Sequence, residues 1–256
     1  MELNEFKAMI SFAKTCKYSS LNYTDYEDVK ESEVIRNDPS LLLLYEKSND
    51  LSEIQFAAND LQELLESIDV HNLKGLIKFI PFDAIAQFER HDFEVHCAYQ
   101  DYSLKDLRQV KSIPDTNYEI RFASIEDAKE LSDISLACKG QSRGFIGETK
   151  EWFIDWFEEN EIIVKRSNGK IAGFCCVSIY AEGTTLWIRE IAVHPEFQSN
   201  GIGRELMNMA IQYGRSNGAQ KSFLAVDLEN KNAIRLYEFL GYEAKAGEIE
   251  VQMLKK

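Results

Sequence analysis

Gln198-Ser-Asn-Gly201-Ile-Gly203 stands between a β-rich run ending in Ile191-Ala-Val-His-Pro195 and an amphipathic stretch over 203–215. Two glycines at this spacing let the backbone curl its N–H groups inward. A helix that starts near Gly203 adds the positive end of its dipole, so a pyrophosphate can be held there largely without cationic side chains. Gln198, Ser199, Asn200, Gly201, Ile202, Gly203 and Arg204 form the candidate loop, and Ile191, Ala192 and Val193 the strand end that leads into it. The string is neither the dinucleotide fingerprint GxGxxG nor a P-loop, because no Gly-Lys-Ser/Thr follows. Alone it is a weak signal: glycine makes up about 7% of ordinary chains, and a plain strand-to-helix loop can carry the same letters.

The next strand and helix sharpen it. Asn230-x-x-Ala233-x-x-Leu236-Tyr237-x-x-x-Gly241-Tyr242 follows downstream. Together the two strings resemble the GNAT superfamily of N-acetyltransferases, whose pyrophosphate loop reads Gln/Arg-x-x-Gly-x-Gly/Ala and whose following strand and helix carry Asn-x-x-Ala-x-x-Leu-Tyr-x-x-x-Gly-Phe/Tyr. The resemblance spans Tyr118 to the C-terminus. It implies acetyl-CoA as donor, its pantetheine arm along the splayed end of Glu190–Val193 and its diphosphate on the 198–203 loop. Asn230 would then touch the cofactor arm and Tyr237 would face the sulfur. The implied reaction is transfer of acetyl to a primary amine by direct attack in a ternary complex; the alternative is a CoA-binding regulator or interaction protein without turnover.

Such a transfer needs a cofactor clamp, a donor to the developing oxyanion, a base for the ammonium and an acid for the departing thiolate. Tyr237 suits the last role, since a phenol with an ordinary pKa of about 10 keeps its proton at pH 7 and can give it to a thiolate whose acid form has a pKa of about 8.5. Its plain alternative is a core aromatic on an amphipathic helix. A backbone N–H of residues 191–193 is the oxyanion candidate. Many relatives place a glutamate five residues before the motif asparagine, but that position is Ala225 here. Glu190 is therefore the first candidate base and Asp227 the second, against the reading of each as a solvated carboxylate. His194, before a proline, reads as a loop residue. Trp152 and Trp156, with the 140–147 segment, fall where such folds build the acceptor cleft, although they fit helix-to-sheet core equally. No metal role suggests itself.

Working outward, the C-terminal part reads β-α-α-β-β-β-α-β-α-β. Ser124 with Asp127 starts the first helix, and Asn168-Gly169 turns a hairpin between 162–164 and 171–180. This order predicts an α/β (α+β) mixed sheet with helices on both faces. The polar stretch Val110-Lys-Ser-Ile-Pro-Asp-Thr-Asn117 marks the boundary, giving a non-catalytic α/β domain over 1–116 and the acetyltransferase domain over 117–256. In the first domain, 41–45 and 53–58 read as a hairpin around Ser48-Asn-Asp50, 60–68 and 82–90 as helices, and 76–80 and 93–99 as strands. Asp83–Glu94 aligns with Asn232–Glu243 at an offset of 149, which suggests a diverged repeat without the phosphate loop and with Phe88 at the tyrosine position.

The 256 residues carry 29 Lys+Arg against 43 Asp+Glu, a formal charge of −14. Residues 1–117 hold net −10 of it (12 basic, 22 acidic) and 118–256 net −4 (17 and 21). That sign argues against nucleic acid and anionic lipid as partners and leaves a small-molecule or peptide amine as the acceptor. No apolar run reaches membrane length and the start lacks a basic leader, so the expectation is a cytoplasmic protein of open oligomeric state. The five cysteines show no metal-site spacing and read as buried thiols.

Overall fold

The apolar runs become sheet strands and the amphipathic stretches cover them. The computed structural model describes residues 1–22, 24–49, 51–110, 120–141 and 145–256, with the side chains of Ile120 and Glu248 left aside. It divides into two units, Met1–Ala98 with Ile249–Lys256, and Tyr99–Glu248.

The first unit contains α1 (Leu3–Ala13), β1 (Tyr18–Ser19), α2 (Tyr26–Val29), β2 (Glu33–Asn37), β3 (Leu41–Glu46), β4 (Glu53–Ala58), α3 (Leu61–Val70), β5 (Gly75–Pro81), α4 (Ile85–Glu89) and the start of β6 (Phe93–Leu104). Alternation along β3 and β4 splits its core in two. Leu41, Leu43, Ile54 and Phe56 pack with Leu64, Leu65 and Ile68 of α3, whereas Leu42, Leu44 and Ala57 pack with Met9 and Ala13 of α1 and Val29 of α2. β4 and β5 are parallel, joined through α3, and β5 is completed by an antiparallel partner from the C-terminus, Gly75–Pro81 against Glu250–Lys255.

The second unit contains β7 (Ile120–Phe122), α5 (Ala128–Ala137), α6 (Lys150–Trp156), β8 (Glu161–Ser167), β9 (Lys170–Tyr180), β10 (Thr185–Val193), α7 (Ile202–Ser216), β11 (Lys221–Asp227), α8 (Lys231–Phe239) and most of the N-terminal half of β12 (Glu243–Lys255). Its sheet runs β6-β11-β10-β9-β8-β7. The β10–β11 pair is parallel and its neighbours are antiparallel, which makes the sheet mixed as the element order predicts. Helices α7 and α8 cover one face through Leu206, Met207, Ala210, Ile211 and Tyr237; α5 and α6 cover the other through Ala128, Leu131, Ile134 and Phe153. The expected cap at Ser124/Asp127 is present as a reciprocal capping box.

The division falls at Ala98/Tyr99 and Glu248/Ile249 rather than at 116/117. The physical reason is strand pairing: Tyr99–Leu104 forms the antiparallel edge of β11, and Ile249–Lys255 that of β5, so each unit is closed by a strand end that sequence order assigns to the other half. The polar stretch that suggested 116/117 lies, from residue 111 on, outside the described residues, as do Tyr118, Glu119, Asp50 of the 48–50 turn and residues 142–144. The pattern also gave no notice of α1, α2 and β2. The 149-residue offset corresponds to matching element order, β5-α4-β6 beside β11-α8-β12.

None of the five cysteines is in a disulfide, and four of them, all but Cys16, are buried. Among the described residues no helix is long and apolar enough to cross a membrane. Phe174, wholly buried in β9 and edge-on to Phe153 at 5.3 Å, ties the sheet to α6. Phe174→Ala is expected to lower the free energy of unfolding by about 3–5 kcal/mol, read from urea denaturation.

Candidate active site in the second unit

The parallel ladder between β10 and β11 pairs Thr185–Trp187 with Lys221–Phe223 and stops. Both strands continue, β10 to Val193 and β11 to Asp227, so beyond Trp187 the β11-facing edge of β10 has no ladder partner. These backbone groups are open to something other than a strand. The antiparallel pairing of β10 with β9 shifts register between Ile188 and Glu190, a bulge at Arg189. It reverses the alternation of side chains. Ile188, Ile191 and Val193 face the α7/α8 core, and Ala192, with Glu190 on the same side, faces α5 and α6.

The loop after β10 is braced from within. Gln198 Nε2 donates to Val193 O and to Gln141 Oε1, both at 2.9 Å, and Asn200 Nδ2 donates to the carbonyls of Phe197 and Gln198. Ser199 (φ 63°) and Gly201 (φ 79°) occupy the left-handed region, which turns the chain sharply into α7. Gly201 is the helix N-cap and supplies no side-chain cap, so the leading N–H groups of α7 are left for an outside acceptor. Ile202 anchors the helix in the core, and Arg204 is exposed. Gly203 has no internal need to be glycine: a Cβ there would sit 3.5 Å from Leu236 Cδ2 and 4.0 Å from Val193 Cγ2, ordinary contacts. Glycine costs up to roughly 1 kcal/mol relative to alanine in a helix interior and less at the second helical position, where Gly203 stands. Its bare Cα is best explained by what must approach from outside. The corresponding helix of the first unit, α3, is built differently, with the Asp60 carboxylate accepting from the Gln62 N–H at its N-terminus.

Glu190 is 6% exposed. Its Oε1 accepts from Ser135 Oγ at 2.9 Å, and that hydroxyl in turn accepts from the Glu148 N–H at 2.9 Å. Oε2 is buried with no partner among the described residues. Burial raises the carboxyl pKa to about 7, against the Ser135 hydrogen bond, which lowers it; Glu148 adds to the rise and Arg189 opposes it. Arg189 pairs with Glu148 at 3.2 Å and lies over the Trp152 ring, which stacks on Trp156. Both tryptophans are half-buried against the α5/α6 core.

Tyr237 lies on the opposite face of the sheet, 5% exposed, and its hydroxyl has no hydrogen-bond partner among the described residues. Burial pushes its pKa well up, with Cys175 contributing, so it holds its proton. Asn230 caps α8, its Oδ1 accepting from Ala233 N at 3.1 Å. Asp227 closes the turn before that helix: its Oδ1 accepts from Glu229 N and its carbonyl from Asn230 N. The structure thus brings Glu190 and Ile191–Val193 onto one strand end beside the 198–204 loop, sets Tyr237 against that strand's other face, and engages Asp227 in a turn. Ser135, Glu148 and Arg189 were not picked out from sequence. The available signal was Ser132 and Ser135 on the otherwise apolar stripe of Ala128, Leu131 and Ile134.

Residues 128–242 match the model of the acetyltransferase (GNAT) family. The matched stretch lies wholly within the second unit. An uncharacterized N-acetyltransferase of Methanocaldococcus jannaschii is 32% identical over 139 residues, 50% of this chain, and the chain spans 62% of that relative's length. In fold, a GCN5-related N-acetyltransferase from Sphaerobacter thermophilus superposes with a TM-score of 0.61 at 16% identity, covering 84% of this chain and 76% of its own. A functionally unknown conserved protein from Staphylococcus epidermidis does so with a TM-score of 0.58 at 15% identity, covering 92% and 99%. The likeness to these two structures extends beyond the stretch that matches the family model. Among the described residues, no group of three or more His, Cys, Asp or Glu gathers to hold a metal.

Folding raises the Glu190 carboxyl pKa from an ordinary 4.5 to about 7, so the folded chain binds this proton more tightly than the unfolded one. The stability linked to it is fully present below about pH 4.5 and is lost as pH rises through 7. Glu190→Gln should therefore be less pH-sensitive: between pH 4.5 and 8 the unmutated protein is expected to lose on the order of 3 kcal/mol more unfolding free energy than the variant, measured by urea titration at each pH.

Proposed function

We propose that the chain is an acetyl-CoA-dependent N-acetyltransferase that moves the acetyl group to a primary amine by direct attack. The observation that carries this reading is the opening of the β10–β11 ladder directly before an uncapped, glycine-led helix, with a near-neutral carboxyl on the same strand. Acetyl-CoA supplies an acetyl group activated as a thioester. The N–H groups of residues 201–204 and the positive end of α7 hold the diphosphate, and the unpaired edge of Ile188–Val193 binds the arm and offers an N–H to the developing oxyanion. The amide nitrogen of Asn230, whose oxygen is used in capping, is available to the same arm.

Glu190, poised near pH 7, takes the proton of the incoming ammonium, directly or through water, and Ser135 and Glu148 fix its orientation. Tyr237, still protonated, gives its proton to the leaving thiolate. The division across the sheet suits the chemistry, because nucleophile and leaving group act at one carbonyl and need separate proton partners. Glu190 is preferred to Asp227, whose carboxylate closes the β11–α8 turn. A cysteine-bound acetyl route is disfavoured: burial raises the Cys138 thiol to about 11, with Glu190 adding to the rise, and holds Cys175 and Cys176 still higher. The first unit takes no part in holding acetyl-CoA in this reading, because Asp60 already fills the corresponding helix N-terminus with a negative charge.

Two substitutions separate the roles. Gly203→Asp puts a side chain and a charge in the diphosphate seat, and calorimetry should show acetyl-CoA affinity reduced by at least roughly 10²-fold in a folded protein; unchanged affinity would remove the phosphate-loop assignment. Tyr237→Phe should keep acetyl-CoA affinity within a few-fold while kcat falls by roughly 10²-fold. Normal turnover under rate-limiting chemistry would return Tyr237 to a packing role. A panel of amines assayed for CoA release tests the activity itself.

A further inference from the structure

The unit formed by Met1–Ala98 and Ile249–Lys256 holds a cavity of about 510 Å³, a size typical of small-molecule sites. It lies on the sheet face that carries Leu44 and Ala57, away from α3. Glu27, Asp28, Glu46, Glu53 and Glu250 line it, with Lys78 as the one cation of the lining. Lys78 is engaged by Glu53 at 2.8 Å, and Glu27 draws Lys30 from outside the lining at 2.5 Å. Carboxylates gathered in this number repel one another unless a cation lies among them.

An acidic wall alone would not make a site. Gln55 supplies an independent observation: it lines the cavity, is only 8% exposed, and its Oε1 is buried with no donor among the described residues. Its strand neighbours Ile54 and Phe56 point into the α3-side core, so its amide projects from the cavity face. An acceptor in that state calls for an N–H from a ligand. The backbone is bent toward the same place. Ile77 and Ile80 pair with Met253 and Val251, so Lys78 and Phe79 together oppose the single Gln252, and Phe79 adopts φ 61°, an unfavourable conformation for a residue with a Cβ. The bulge sets Lys78 and Phe79 on the cavity wall.

The carboxylates are too dispersed for a metal ion, since no three of them converge as ligands. Charge spread over such a volume matches cationic groups spaced along a chain. We propose that this cavity binds a linear polyamine, with ammonium groups on the separated carboxylates, an N–H on Gln55 Oε1 and methylenes against Phe79. This site is distinct from the one assigned to acyl transfer and sits in the unit that lacks its motifs.

Titration calorimetry of the full chain with spermidine tests it. Saturable one-to-one binding is expected, retained in Gly203→Asp, and weakened about tenfold or more in Glu46→Gln/Glu250→Gln, which keeps shape and removes two charges. Gln55→Leu should raise the melting temperature by removing a buried acceptor, yet weaken spermidine several-fold. Absence of saturable binding, unchanged affinity in the double variant or in Gln55→Leu, loss of binding in Gly203→Asp, or equally tight binding of Mg²⁺ would each overturn the proposal.

Discussion

The structure of the second unit depends on where one parallel ladder ends. Hydrogen bonding between β10 and β11 stops at Trp187 and Phe223 although both strands run on. Continuing the ladder would satisfy every backbone group internally and leave nothing for a ligand. Two local features sustain the opening. On its other edge β10 stays paired with β9 as far as Val193, and the bulge at Arg189 is absorbed in that pairing, so the strand is held straight while one edge is left bare. The same bulge turns Glu190 to the face opposite Tyr237 of α8, and each sits in a dry setting that shifts its pKa upward.

The two units use one strand-helix-strand plan for different ends. β4-α3-β5 and β10-α7-β11 both join parallel strands through a helix. In the first, Asp60 satisfies the helix N-terminus with a carboxylate; in the second, glycines leave it bare. The same architecture thus carries a fixed carboxylate at the helix N-terminus in one unit and leaves the leading N–H groups without a side-chain cap in the other. The acidic cavity of the first unit is on the sheet face opposite α3, carried by residues that alternate with its apolar core.

The fold class and the loop were legible because both rest on local spacing. Period-2 and period-3.6 patterning gave the ten elements from β7 to β12 in order, and Gly201 is required by its own left-handed backbone angle. α1 and α2 were missed because they take their stability from the strands they cover, and β2 because it takes its own from pairing with β3, both tertiary properties.

By itself the sequence determined the mixed α/β class, the glycine-led strand-to-helix turn at 198–204, and Glu190 and Tyr237 as the residues to weigh. Only the tertiary structure decided that Tyr99–Leu104 and Ile249–Lys255 close units to which their sequence neighbours do not belong, that Asp227 is engaged in a turn, and that Glu190 sits on Ser135 with one buried oxygen unpartnered. Strand exchange and burial are set by pairings between residues more than a hundred positions apart, or by desolvation from helices distant in the chain, and neither leaves a mark in local periodicity.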